Sequence, residues 1–339
     1  ARLGVPRPML EADAKTLKLA LRPGDGAEAF SFQGIGRFGA ASGGYGGTVA
    51  VIDRSQQGIE VVGAGQAATA GFAGITFNAD SLNALGASRL MVGGMTAVEY
   101  GQSGNFIYLA GGVNRAQSNV SLRNGATLAA PEVFLVSDTG SIVVEQGASI
   151  NTLGRGNASY DARDGYIYQV ANMLAVSNGL LNVISAPKVG SVISQGINIG
   201  ACSSGACSGQ TGLYSNGSIV ALTDSTFQLG DQVRYGTRHL NLGVSTINLG
   251  SADALAAAAA ANRLPAGLTL SQALLDRLLR GDTQFGAPAL ETLQLSARDG
   301  FNFYGNAVLD TYDPLTGKSL LSNLMLSTPA LYGAGGAND

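Results

Sequence analysis

Cys202 and Cys207 are the only two cysteines of the chain and lie five apart in a stretch rich in Gly and Ser. That spacing favours a local disulfide closing a turn over two free thiols, and a disulfide implies an oxidising compartment. Two thiolates do not complete a tetrahedral zinc site, and the one histidine, His239, stands 32 residues beyond Cys207. Chemistry that needs two imidazoles, or a cluster of histidine ligands, is thereby excluded within one chain. No metal and no other cofactor is expected.

Carboxylates and aromatic rings mix most densely at Tyr160, Asp161, Asp164, Tyr166 and Tyr168. Rings laid against sugar faces would make this a carbohydrate-binding edge, and its oxygens could serve a weak calcium loop. The spacing matches no calcium-loop template, so a turn between strands, its edge covered by tyrosines, is the favoured reading. Arg280-Gly281-Asp282 is a tripeptide that some adhesion receptors recognise. Each residue also has a local use at a helix end, the arginine meeting the dipole and the glycine turning the chain, and that use is favoured. A polysaccharide-active enzyme would need paired carboxylates on one face, for which Asp161 with Asp164 or Asp224 with Asp231 are the nominees. Only 4 Lys and 7 Glu are present, a thin supply for a polysaccharide groove, so an enzyme is the minor alternative.

Two phosphate-binding patterns fail on context. Gly34-Ile35-Gly36-Arg37-Phe38-Gly39 matches the dinucleotide fingerprint, but 49 glycines in 339 residues produce about one such match by chance. The helix it requires would have to run through Ser42-Gly43-Gly44-Tyr45-Gly46-Gly47, at ~1 kcal/mol per glycine. Gly317-Lys318-Ser319 resembles the end of a phosphate loop, but Tyr312 occupies its upstream glycine position. Three sequons, at Asn119, Asn157 and Asn216, are incidental in a chain so rich in Ser, Gly and Asn.

The elements that would carry these residues are short strands between turn residues. Residues 126–153 read as three strands about two tight turns, with Phe134, Val136, Ile142, Val144 and Ile150 at strand spacing. Residues 217–250 repeat the texture, with strands at 219–222, 226–229, 239–242 and 245–249 separated by Asp224, Gly230-Asp231, Gly236 and Gly243. Strands this short and this dense suit the rungs of a right-handed parallel β-helix with roughly 20 to 25 residues per coil. A narrow interior also accounts for the excess of Ala and Gly and for aromatics of only 6%. Two segments break the pattern. Ser251 or Asp253 caps an alanine-rich helix ending before Pro265, and Ser271 opens a second helix over 272–280 with Gly281 just past its end. Leu274, Leu275, Leu278 and Leu279 form its apolar stripe, and the pair is expected to pack over a face or edge of the solenoid.

Lys plus Arg is 20 against Asp plus Glu 23, a net charge of −3, which disfavours nucleic acid as partner. The longest purely apolar run is 254–261, too short to span a membrane as a helix. A hydrophobic fraction of 45% excludes intrinsic disorder.

The rung-like windows at 126–153 and 217–250, the sparse charge and the Gly/Ala/Ser/Asn bias resemble the filamentous haemagglutinin family, the large exoproteins of bacterial two-partner secretion. The segment 240–332, with Leu274-Leu275-Asp276-Arg277-Leu278-Leu279 and Phe301-Asn302-Phe303-Tyr304, is similar to a region recurring in such proteins. The family's secretion domain, with its Asn-Pro-Asn signatures, has no counterpart in a chain without an Asn-Pro pair, so an internal piece is expected. The resemblance implies a surface-exposed or released adhesin, or an extended stalk. Its partners would be glycans or receptors of host or neighbouring bacterial cells, and the outer-membrane transporter of the full-length protein. The expected organisation is a hairpin-rich opening region over 1–50, β-helix rungs over 51–250, a helical insertion over 251–281, final strands over 282–332 and a flexible end over 333–339.

Overall fold

The computed structural model describes residues 14–23, 30, 32, 34–42, 44–101, 104–111, 119–158, 166–168, 172–185, 194–203 and 205–334, of which 96–101, 104–111, 166–168, 184–185 and 334 by backbone alone. The chain is mostly β, 42% strand and 10% helix, and its large mixed sheet wraps nearly closed around one aliphatic interior.

Strands recur because the sequence alternates β-branched or aliphatic residues with small polar ones, and turn residues cut the runs short. Paired strands collect into stacks. The first runs through Thr16–Leu21, Thr48–Asp53, Arg89–Val92, Glu132–Ser137, Asn172–Ser177, Ser218–Thr223, the first halves of His239–Gly250 and Thr292–Tyr304, and Asn323–Ser327. The second runs through Ile75–Asn78, Ile59–Val62, Val120–Leu122, Ser141–Val144, Gly196–Ile199, Phe227–Leu229, Leu268–Ser271, the second halves of the two long strands, and Leu331–Ala334. A shorter third stack holds Thr127–Leu128, Ser149–Asn151, Gly212–Tyr214 and Arg234–Gly236. Opposed residues on adjacent levels are often 22 positions apart, as in Val120 with Ile142, Thr127 with Ser149 and Gly212 with Arg234.

Alternation aims every second side chain inward. Ile219, Leu240 and Leu293 thus lie over one another, as do Ala221, Leu242 and Leu295, all buried. Burying each such aliphatic side chain contributes about 1.5–3 kcal/mol against leaving it in water.

Helices close both ends of the third stack. α1 (Ala79–Ala84) is capped by Asn78, whose side chain accepts from the Asp80 N–H. Its Asn83 donates to the Thr127 carbonyl and accepts from the Ala129 N–H, as a neighbouring strand would. α2 (Ala252–Ala260) is capped by Ser251 and rests on a small cluster of Leu255, Ala258 and Tyr304. α3 (Gln272–Arg280) is capped by Ser271 and ends at Gly281. The caps of α2 and α3 and the bounds of α3 follow the sequence reading, but the expected packing of α3 as an outer embellishment does not hold. Its four leucines, 274, 275, 278 and 279, are buried in the main interior, because an amphipathic stripe of that width fills the space left where the third stack stops.

Several other expectations are corrected. The sheet is mixed: Asn172–Ser177 runs antiparallel to both of its neighbours. Period-two alternation is the same read in either direction, so Leu174 and Val176 still face the interior beside Leu135 and Val133. Here the sheet is buried on both faces, the outward Met91, Phe134, Ala175 and Val220 being covered with Leu181, and its strands read as unbroken apolar runs. A separate four-stranded sheet of Gly94–Gly101, Gly104–Gly111, Tyr166–Tyr168 and Val183–Ser185 contains one further antiparallel pair. Thr16–Leu21 is not a hairpin arm; it pairs in parallel with Thr48–Asp53. Gly243 is no turn, since His239–Gly250 is one strand with a register shift between Val244 and Thr246; a Cβ on Gly243 would press on Leu222. Gly333 and Ala334, expected to be flexible, belong to a strand paired with Phe303 and Tyr304.

Candidate functional site

On the third stack two of the outward positions are glycine. A Cβ on Gly212 would meet the Tyr214 ring at 2.6 Å, and one on Gly236 would meet the Asp282 carbonyl oxygen at 2.1 Å. The Tyr214 ring therefore lies flat on the stack and the turn after α3 is seated on Gly236. Gly281 ends the helix with φ of 65°, and its N–H donates to the Arg277 carbonyl, which also accepts the Tyr235 hydroxyl at 2.8 Å. Asp282 spends both carboxylate oxygens on this turn: Oδ1 accepts the Gln284 N–H at 2.9 Å and Oδ2 the Tyr214 hydroxyl at 3.0 Å. Burial, then the bond to Asp282, pushes the Tyr214 phenol above its ordinary value, so it remains a donor at neutral pH. Burial does the same for Tyr235.

Phe285 crowns the turn. Its backbone is left-handed, φ 58° and ψ 16°, and its side chain is 72% exposed. Such a backbone costs a non-glycine residue on the order of 1–3 kcal/mol. The ring stands edge-on to Tyr214, centroids 5.1 Å apart at 78°. Exposed Arg280 precedes the turn and exposed Arg234 lies on the stack beside Gly212. The result is an apolar ring held out from a rigid seat, with exposed Arg280 and Arg234 on the two elements that build that seat. Such an exposed ring can stack on the apolar face of a sugar ring.

Of the residues singled out from the sequence, Asp282 is brought to Tyr214, with Arg280 and Gly281 preceding it at the end of α3. The arginine points out, while the aspartate is committed to the turn. Tyr166 and Tyr168 lie on a strand between Gly104–Gly111 and Val183–Ser185. Tyr160, Asp161 and Asp164 lie outside the described residues. Cys202 and Cys207 form the disulfide, with Cα atoms 5.6 Å apart. Asp224 accepts from Ser194 and Asp231 pairs with Arg277, so these two carboxylates serve different partners. No helix follows Gly39, and Gly36 abuts the Leu85 carbonyl; Lys318 and Ser319 sit in a short hairpin. Among the described residues no group of three or more His, Cys, Asp or Glu could hold a metal ion, and no helix is long and apolar enough to cross a membrane.

Sequence reasoning missed Phe285, since nothing in Thr283-Gln284-Phe285-Gly286 announces a left-handed phenylalanine. It also missed a ladder of polar groups linking levels. Buried Glu60 takes Arg123 at 2.8 Å and the Thr76 hydroxyl at 2.7 Å, and Arg123 reaches Glu145 at 2.9 Å. Buried Arg89 bonds Glu132 at 2.6 Å, whose other oxygen accepts from Ser177. Burial raises the Glu60 carboxyl, but the bonds from Thr69, Thr76 and Arg123 outweigh it and hold the group below its ordinary value. The recurrence of polar residues at 22 positions, Arg123 with Glu145, Thr127 with Ser149 and Ser215 with Thr237, was the available signal.

Comparison with protein-family models, with curated proteins and with solved structures returns no match to this chain.

Proposed function

We propose that this chain is a segment of a large secreted bacterial surface exoprotein of the filamentous haemagglutinin type, whose right-handed parallel β-helix carries an adhesive face. The observation that carries this reading is the level-by-level register: parallel neighbours at a 22-residue spacing, with aliphatic side chains stacked inward and polar ladders binding level to level. Such a scaffold lengthens by about 4.8 Å per level and reaches away from a cell surface. The Cys202–Cys207 disulfide agrees with an extracellular location. Glycans or receptors of host or neighbouring bacterial cells are the partners, and the Phe285 knuckle with Arg280 and Arg234 is the contact. The outer-membrane transporter of the full-length protein is the export partner.

The test is binding of the purified chain to a glycan array and to cultured cells, with Phe285→Gly and Arg280→Ala alongside and polysaccharide turnover followed in the same samples. Binding that weakens at least tenfold in Phe285→Gly supports the reading. Turnover of a polysaccharide, or binding indifferent to both substitutions, overturns it.

A further inference from the structure

Outward side chains on the first stack change character partway along it. Over the earlier levels they are apolar and covered: Met91, Phe134, Met173, Ala175 and Val220 pack together with Leu181. One level on, the positions opposite Ser218, Val220 and Leu222 are His239, Asn241 and Gly243, and opposite those stand Thr292, Gln294 and Ser296. All but the glycine are half-buried polar residues. Neither level is an end of the stack: residues 239–243 lie between 218–222 and 292–296, and the latter pair in turn with 323–327. The backbone of both levels is spent on its neighbours, so recognition on this face falls to side chains.

Polar side chains elsewhere on the outer faces are tied to the level beside them. On the second stack Asn198 donates to Gln228 at 2.7 Å and Asn302 to Asn248 at 2.9 Å, and on the first Ser177 donates to Glu132 at 2.6 Å. Asn241 and Gln294 oppose one another in the same way, yet do not bond: Gln294 Nε2 turns along its own strand to Ser296 Oγ at 3.3 Å. The Asn241 amide and the His239 imidazole take part in no hydrogen bond within the chain among the described residues, and Asn241 Oδ1 is buried without a donor. Buried polar atoms almost always find partners. An amide held by no internal bond turns outward at no cost in such bonds, which is what a group kept for an outside donor requires.

The charges around this face are compensated. Arg238 pairs with Glu291 beside His239, and Arg298 with Asp299 beyond Ser296. Burial holds the His239 imidazole below its ordinary value, against the pull of Glu291, so at neutral pH it is uncharged and offers one donor and one acceptor. Such a face gives an anionic ligand no free cation to meet. Amides and a neutral imidazole, each both donor and acceptor, match hydroxyl groups, which are both as well. Leu222 adds an apolar step: a Cβ on Gly243 would stand 2.6 Å from its Cδ2, so its side chain leans across the glycine.

We infer that the outer face formed by His239, Asn241, Gly243 and Gln294 is a binding site for a neutral polyhydroxylated ligand, a glycan chain without carboxylate or sulfate groups, whose hydroxyls bond the two amides and the imidazole and whose C–H face rests on Leu222 over Gly243. The site lies on the first stack and shares no residue with the Phe285 knuckle, so each can fail without the other.

The experiment is titration of the purified full chain over an array carrying neutral and acidic glycans, with Asn241→Ala, Asn241→Asp, Gln294→Ala and Phe285→Gly beside the native chain and the thermal midpoint of each measured. Neutral glycans are expected to be retained in preference to acidic ones, each alanine variant to weaken them at least tenfold, and Phe285→Gly to bind the same glycans as the native chain does. Asn241→Asp keeps the shape of the side chain but loses its donor, so weakened binding at an unchanged midpoint separates recognition from folding. Retention of acidic glycans alone, or neutral-glycan binding that survives the Asn241 and Gln294 substitutions, overturns the inference. Loss of that binding in Phe285→Gly alone assigns it to the knuckle and overturns it too, as does an array on which no neutral glycan is retained.

Discussion

Phe285 holds a backbone conformation that glycine occupies freely and other residues at a cost of on the order of 1–3 kcal/mol, and it does so with its ring largely in water. Its edge-on contact with Tyr214 returns about 0.5–1.5 kcal/mol. Stability alone therefore does not select this residue. Phe285→Gly is expected to leave the thermal midpoint unchanged or raised by the equivalent of about 1 kcal/mol while ligand binding is lost, a trade-off seen where strain serves function; calorimetry beside a binding assay checks both halves. Arg123 is the contrary case. Removing it strands Glu60 and Glu145, both buried, and Arg123→Ala is expected to lower stability by about 3–5 kcal/mol in urea unfolding. Neither residue was legible in the chain: a left-handed phenylalanine has no sequence signature, and an arginine bridging three levels shows only as a 22-residue recurrence that shorter windows overlook.

Among the elements, the helices were legible and the stacks only partly so. Ser271, the Leu274 to Leu279 stripe and Gly281 specify start, face and end of α3 through local physics, and local physics is what a sequence displays. α1 escaped notice because six residues give no apolar period, and its role rests on Asn83 imitating a strand edge. The reversal of Asn172–Ser177 was invisible because alternation carries no direction. The disulfide was readable from spacing, but its use was not. The residues directly after the loop it closes accept bonds from other levels, Asn124 donating to the Ser208 carbonyl and Gln146 to that of Gly209. Replacing both cysteines by serine is expected to cost about 2 kcal/mol for so short a loop and to open residues 200–211 to protease before the rest of the chain. Above this region, Leu278 of α3 joins Ala221, Phe227, Leu213 and Tyr235 around an apolar cavity of about 20 Å³. A space of that size and lining stays dry. Ala221→Val is expected to fill it and raise stability by about 0.5–1 kcal/mol in thermal melts, as cavity-filling substitutions commonly do.

At the scale of the molecule the charge pattern sets the response to acid. The Glu60 carboxyl is held below its ordinary value, and His239 is held below its own by burial, with Glu291 pulling it up and Arg238 down. In both cases the unfolded chain takes up its proton first, so stability is complete above the ordinary value and falls as pH drops through it. Thermal melts are expected to be flat above about pH 7, to decline through about 6.5 as His239 acts and to decline again below about 4.3. His239→Gln should remove the first decline and leave the second. A consequence of a mechanical kind follows from Arg123. Leu122, just before it, lies between Val61 and Val144 in the second stack, so the two carboxylate partners of Arg123 belong to the levels on either side of its own. Arg89 binds Thr48, Glu132 and, through Glu132, Ser177, across four levels. Under tension along the stack, backbone ladders yield like stitches, one seam at a time, whereas these arginines act as rivets through several plies. A molecule pulled along the stack would hold at the levels pinned by Arg89 and Arg123, so that the rupture force is set by two guanidinium groups rather than by the number of levels.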